Sequence, residues 1–241
     1  MRQISILHIG RTGGTALRAV VDAHKARHPS AAIEVFPHRV TLAHLRRDHP
    51  ESGIVFFVRE PVRRFVSGFN SRLRRGQPRY NVPWSPDEEL AFTRFSDASA
   101  LGEALGADDP GRRDDAAHAM RSIAHARRDL THYLGSVEAL DAARDRILLI
   151  GSQDTFDCDV AKLKVLLRID DDIHPPQDDV AARRNPAALP RDLTPAAEHN
   201  LKIWHSNDYQ IYEWCRAFRE ERDGRNAGTR ASSDDVAAGP S

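Results

Sequence analysis

Ile4-Ser5-Ile6-Leu7-His8-Ile9-Gly10-Arg11-Thr12-Gly13-Gly14-Thr15 is the stretch whose reading decides the fold. An apolar run of strand type ends in a glycine, a cation, a hydroxyl, two more glycines and a threonine. A helical pattern over residues 15–27 follows at once, with Leu17, Val20 and Val21 on its inner face. A strand–turn–helix unit leaves the first helical amides unpaired, and the helix dipole adds partial positive charge there. Gly13 and Gly14 let the backbone approach an anion, Thr12 and Thr15 offer hydroxyls, and Arg11 offers a guanidinium. Phosphate or sulfate chemistry is the first expectation. A tight glycine turn with no ligand is the plain alternative.

Working outward, residues 33–36 read as a second short strand leading to His38, and residues 42–47 as a short helix. Ile54-Val55-Phe56-Phe57-Val58 is the strongest strand signal; an unbroken β-branched and aromatic run fits an interior parallel strand covered on both faces. Pro61 then opens a helix carrying Val62, Phe65, Val66 and Phe69 at three- and four-residue steps. Residues 74–115 are the least regular, with one predicted helix over 87–95, and read either as a lid or as a solvated insertion. Helical patterns at 118–134 and 137–141, a strand at 146–151, a helix at 156–169 and a final helix at 196–218 complete the pattern. Strands alternating with helices at both ends of the chain predict a three-layer α/β fold with a central parallel sheet flanked by helices.

The 241 residues suffice for one large domain, read as 1–219 with an insertion at about 74–115. The Gly-, Ser-, Asp- and Ala-rich tail, 220–241, is expected to be disordered. Net charge is zero, with 35 basic and 35 acidic residues, which disfavours a wide nucleic-acid footprint while leaving room for a local cationic pocket. Only Lys25, Lys162, Lys164 and Lys202 among the basic residues are lysines, a bias that weakens the significance of any single arginine. Cys158 and Cys215 make neither a disulfide framework nor a metal-ligand spacing. The start of the chain does not fit a secretory leader, and no apolar run reaches the roughly 20 residues of a membrane span, so a cytoplasmic location is expected.

Arg59 lies just past the carboxyl end of an interior strand, where open α/β sheets bind ligands, and Ser67 follows in the next helix. Arg63 and Arg64 read as simple surface charge. Two anion sites on one sheet edge suit a ligand with separated phosphates. The dinucleotide fingerprint G-x-G-x-x-G and the Walker A pattern G-x-x-x-x-G-K-[ST] are both absent from the first loop.

At this point two runs resemble a known family. His8-Ile9-Gly10-Arg11-Thr12-Gly13-Gly14-Thr15 resembles the 5′-phosphosulfate-binding loop of sulfotransferases. Val58-Arg59-Glu60-Pro61-Val62-Arg63-Arg64-Phe65-Val66-Ser67 resembles their 3′-phosphate-binding motif. The likeness is closest to the carbohydrate O-sulfotransferases of the heparan 2-O and chondroitin type and their small bacterial relatives. A weaker likeness extends over Leu148–Gly151 and Asp208–Tyr212. The resemblance implies a P-loop-like fold and nucleotide binding, with 3′-phosphoadenosine 5′-phosphosulfate (PAPS) as donor and 3′-phosphoadenosine 5′-phosphate (PAP) as product. It implies no metal.

By that resemblance Arg11, Thr12, Gly13, Gly14 and Thr15 would hold the 5′-phosphosulfate, and Arg59 with Ser67 the 3′-phosphate. Arg184, in the loop before the last helix, would add a donor contact. Arg11 stands where the family usually carries lysine, and an arginine can stabilise the leaving oxygen but not protonate it. The family places a histidine between the two motifs as base; here His38 is the candidate, with His44 as rival, and Arg11 is the second catalytic candidate. The acceptor is expected to be the hydroxyl of a small molecule or a glycan. Arg72, Arg74, Arg75 and Arg79 read either as contacts for an acidic acceptor or as solvated charge. The competing functions are a P-loop-like nucleotide-binding protein without chemistry and a phosphotransferase.

Overall fold

The computed structural model describes residues 3–178 and 191–236. Four strands, β1 (Ile4–Leu7), β2 (Ile33–Val35), β3 (Gly53–Val58) and β4 (Ile147–Ser152), form a single sheet in the order β2-β1-β3-β4. Every pairing is parallel, with Ile6 opposite both Val35 and Val55, and Phe56 opposite Ile150. The helices among the described residues are α1 (Gly14–Arg27), α2 (Leu42–Asp48), α3 (Pro61–Leu73), α4 (Pro86–Arg94), α5 (Ala98–Ala104), α6 (Pro110–Ser122), α7 (Leu130–Leu134), α8 (Val137–Asp141), α9 (Phe156–Leu167), α10 (Pro195–Trp204) and α11 (Ser206–Val236).

The two-residue alternation of β3 explains its unbroken apolar run. Val55 and Phe57 face a core built with Leu17, Val20 and Val21 of α1 and Val160 and Leu163 of α9. Ile54, Phe56 and Val58 face the opposite core, built with Leu45 of α2, Tyr133 and Leu134 of α7, and Ile211 and Phe218 of α11. The sheet is thus the middle of three layers, and all six residues of β3 are buried. None of the described helices is long and apolar enough to cross a membrane.

The irregular segment after α3 is more ordered than its composition suggests. Ser85, Asp97 and Asp109 each cap a helix by accepting backbone amides, and Pro86 and Pro110 sit in the first turns behind two of these caps. Phe92 of α4, Leu101 of α5, Ala119 and Met120 of α6 and Leu201 of α10 then close a third core against Val62, Phe65, Val66 and Phe69 of α3. Only α4 was legible from the periodicity; α5 and the start of α6 lie in the stretch that reads as irregular. The predicted helix over 118–134 is interrupted between α6 and α7. The predicted final helix is two helices broken at His205, and α11 runs from Ser206 to Val236.

Arg64 corrects its reading as surface charge, and Arg72 matches neither of its two readings, acceptor contact or solvated charge. Arg64 is fully buried, donating from Nε to the Gly10 carbonyl at 3.0 Å and from a terminal nitrogen to the Arg128 carbonyl. Arg72 donates to both carboxylate oxygens of Glu88, at 2.8 and 2.7 Å, with both side chains buried. It also reaches the Val82 and Pro83 carbonyls, at 3.3 and 3.2 Å. The insertion is therefore clamped to α3 by a buried, bidentate ion pair, not hung on a solvated linker.

Candidate functional site

In a parallel sheet ordered 2-1-3-4 the chain leaves β1 and β3 toward opposite faces, and the crevice between their carboxyl ends is where such sheets bind ligands. That crevice opens here into a cleft of about 1240 Å³, lined by Arg11, Gly13, Gly14, Thr15, His38, Arg59 and Ser67 among others. The structure therefore gathers all the described sequence-predicted site residues except Thr12 along one cleft. Thr12 is a correction: it is buried, and its hydroxyl donates to the Ile9 carbonyl at 2.9 Å, stabilising the turn from within. Arg184 lies outside the described residues.

The loop after β1 is bent by two residues in the left-handed region, Arg11 at φ 70° and Gly13 at φ 90°. For an arginine that conformation costs about 1–2 kcal/mol, so neighbouring contacts must hold it. They do: Arg11 Nε donates to Ser67 Oγ at 3.1 Å and a terminal nitrogen donates to Ser71 Oγ at 3.3 Å, both on α3. Burial foremost, with Arg59, Arg74 and Arg64 nearby and Tyr80 opposing, lowers the Arg11 pKa to about 10, which leaves it cationic at neutral pH. The glycines that follow have packing reasons of their own. A Cβ on Gly13 would stand 2.4 Å from the Phe156 ring, and one on Gly14 1.8 Å from the His8 ring. Ala16 makes the first internal bond of α1, to the Gly13 carbonyl at 2.9 Å, so Gly14 and Thr15 sit ahead of it at the positive end of the helix.

Across the crevice, Arg59 follows β3 directly. Its Nε is buried and has no hydrogen-bond partner among the described residues. Burial lowers its pKa, and Arg63 and Arg191 act in the same direction, while Asp154 opposes them. A buried guanidinium nitrogen with its donor unspent is costly unless an acceptor arrives. Glu60, next in sequence, caps α3 by accepting the Arg63 amide at 2.6 Å and also accepts from the Tyr209 hydroxyl of α11. Arg63 pairs with Asp154 at 3.4 Å on the exposed rim.

His38 lies in the turn after β2. Its Nδ1 is 3.1 Å from the His8 carbonyl oxygen, and the two imidazoles touch at a 40° tilt with ring centres 3.8 Å apart. A carbonyl only accepts, so that contact assigns the proton to Nδ1 and leaves Nε2 as the basic nitrogen of the neutral ring. His44, the rival, has another task. It completes a capping box with Thr41 at the start of α2, its Nδ1 2.7 Å from Thr41 Oγ1.

His125 joins the cleft without a sequence signal. It sits in the turn after α6, against Gly68 of α3 and near Gly10. Burial, followed by the fields of Arg11, His38, Arg64 and Arg72, pushes its pKa down to about 3. It is a neutral imidazole at working pH and a poor proton acceptor, which leaves His38 the better base. Tyr80 also lines the cleft; its ring covers Gly76, where a Cβ would come within 1.9 Å of it.

Fold and site together define a parallel α/β protein with a cleft at its topological switch point in which Arg11 and Arg59 face each other across the crevice. Comparison with family models, curated proteins and solved structures gives no match to this chain.

Proposed function

We propose that the chain is a PAPS-dependent sulfotransferase with a P-loop-like fold that acts on a hydroxyl acceptor. The observation that carries this reading is the pairing, in one crevice, of a buried Arg59 nitrogen with its donor unspent and the Arg11–α1 anion cradle. Two cationic centres flanking a switch point suit a ligand that is anionic at two places, as a 3′-phosphorylated nucleotide with a 5′-phosphosulfate is. When bound, PAPS would supply an activated sulfuryl group.

The protein's own part is positioning, charge stabilisation and one proton transfer. Arg59 holds the terminal 3′-phosphate. Gly14, Thr15 and the Arg11 guanidinium hold the opposite end and stabilise negative charge as it develops on the leaving oxygen. Thr12 contributes the shape of the turn, since its hydroxyl is committed to Ile9. Nε2 of His38 takes the acceptor's hydroxyl proton, with the Nδ1–H bond to the His8 carbonyl fixing ring and tautomer. Arg11 stays protonated throughout, so the leaving oxygen departs as an anion, without a proton from this residue.

Calorimetry with PAP tests the reading. Binding should be saturable, and Arg59→Ala should weaken it at least tenfold while leaving the melting temperature unchanged or higher, because the buried Nε has no hydrogen-bond partner among the described residues to lose. Absence of PAP binding overturns the proposal. Sulfuryl transfer to a panel of hydroxyl acceptors separates the enzyme from a nucleotide-binding protein that has no chemistry.

A further inference from the structure

We infer that His24, His28 and Asp170 form a binding site for a divalent transition-metal ion of the zinc class, at the end of α1 remote from the cleft. One ring nitrogen of each histidine and one carboxylate oxygen of Asp170 lie within 4.8 Å of one another. His24 is in the last turn of α1 and His28 is its C-cap, so one helical turn brings the two rings to 4.6 Å between centres. Asp170 comes from the turn after α9.

The spacing is close to what an ion requires. Ligand atoms about 2.0–2.1 Å from a tetrahedral zinc are roughly 3.3 Å from each other. His28 Nε2 already stands 3.4 Å from both Asp170 oxygens. His24 brings an independent sign of an absent partner: it is only 5% exposed, and its Nδ1 is buried with no hydrogen-bond partner among the described residues. The donor set selects the ion, since two imidazoles with one carboxylate suit Zn²⁺, Co²⁺ or Ni²⁺ and not the oxygen-seeking Mg²⁺ or Ca²⁺.

Arg27 is arranged to yield. It donates to Asp170 at 3.1 Å but holds Asp172 through two bonds of 2.8 Å, so it can release Asp170 and remain paired. The site staples the end of α1 to the turn after α9 beneath the sheet, and takes no part in sulfuryl transfer; it stands whether or not the chain is a sulfotransferase.

The test uses the full chain. Zn²⁺ calorimetry should give one ion per chain, and Co²⁺ should give the visible absorption of a low-symmetry, nitrogen-ligated site. His28→Ala and Asp170→Asn, both at partly exposed side chains, should each weaken Zn²⁺ binding at least tenfold and abolish the Co²⁺ band, whereas His44→Ala should leave both unchanged. Melting of the metal-free variants verifies that they fold. No Zn²⁺ binding by the parent up to about 1 mM, or equal binding by parent and both variants, overturns the inference.

Discussion

Arg11 Nε donates to Ser67 Oγ across 3.1 Å, joining two sequence motifs that lie 56 residues apart. The cation of the first loop and the hydroxyl of the second therefore belong to one subsite, whereas the family resemblance assigned them to opposite ends of a donor. On this geometry Ser67 positions Arg11 as much as it meets a ligand. Arg11→Ala is expected to weaken PAP binding by about tenfold or more, matching the roughly 1.5–3 kcal/mol of a charge-assisted hydrogen bond. Ser67→Ala should cost less. Affinities from calorimetry check the order; an Arg11→Ala protein that binds like its parent contradicts the assignment.

His38→Ala should abolish transfer and leave PAP affinity within about twofold, because the base meets the acceptor and not the nucleotide. His44→Ala should leave turnover intact and cost under about 1 kcal/mol of stability through its capping box. Single-turnover assays with thermal melts on both variants distinguish the two histidines. Normal turnover in His38→Ala would remove it from the mechanism.

His125 makes stability depend on pH in a definite direction. Its folded pKa, near 3, lies below the ordinary histidine value of about 6.5, so the unfolded chain takes up the proton more readily. Its contribution is complete above about pH 6.5 and is lost as pH falls toward 3. The imidazole signals of His125 should show no titration between about pH 5 and 8 by NMR, and His125→Gln should flatten the acid limb of a denaturation series. A midpoint near 6.5 for this ring would show the burial argument to be wrong.

Glu88 gives a second, lower acid limb. Burial alone would raise its pKa, but the bonds from Arg72 and from the Ala124 and Ser85 amides outweigh it and leave the carboxyl below its ordinary value. The stabilisation is present above about pH 4.3 and is lost as pH falls through the depressed folded value. Glu88→Ala should destabilise by about 3–5 kcal/mol at neutral pH, since it strands a buried arginine. Urea titrations of parent and variant measure the difference, and a cost under about 1 kcal/mol would mean that the insertion does not depend on this clamp.

Gly14→Ala should damage catalysis more than folding. The added Cβ meets the His8 ring at 1.8 Å, and moving that ring disturbs its contact with the His38 ring. Gly13→Ala should destabilise by about 2 kcal/mol or more, because it combines a positive φ with a clash against Phe156. Melts and transfer rates on the pair check the contrast.

How much of this was readable in the chain varies with the physics that each feature obeys. Strands β1, β3 and β4 and helices α1, α3 and α9 follow from hydrophobic period and from Gly and Pro punctuation, which are local. Helix α5 and the start of α6 were missed because Gly102, Gly106 and Gly111 with the aspartates read as loop, although Asp97 and Asp109 are capping residues. The buried roles of Arg64 and Arg72 are not legible because their partners, Gly10, Arg128 and Glu88, are distant in sequence, and because α3 is buried on nearly every side. His125 has no motif at all; only folding brings it to Gly10 and Gly68. The break at His205 contains neither Gly nor Pro, so the period runs through it.

That break determines how the cleft is assembled. Helix α10 packs on α5, in the small core of the insertion, while α11 packs on α7 and β4, in the core of the sheet. The wall carrying Lys202 and the wall carrying Tyr212 are thus anchored in different foundations that meet at one corner. Substitutions in α5 or α10 that leave α3 untouched can reshape one side of the mouth while Arg59, Glu60 and the β1 loop keep their places. Such an arrangement lets one side of the cleft diversify while the other is held fixed.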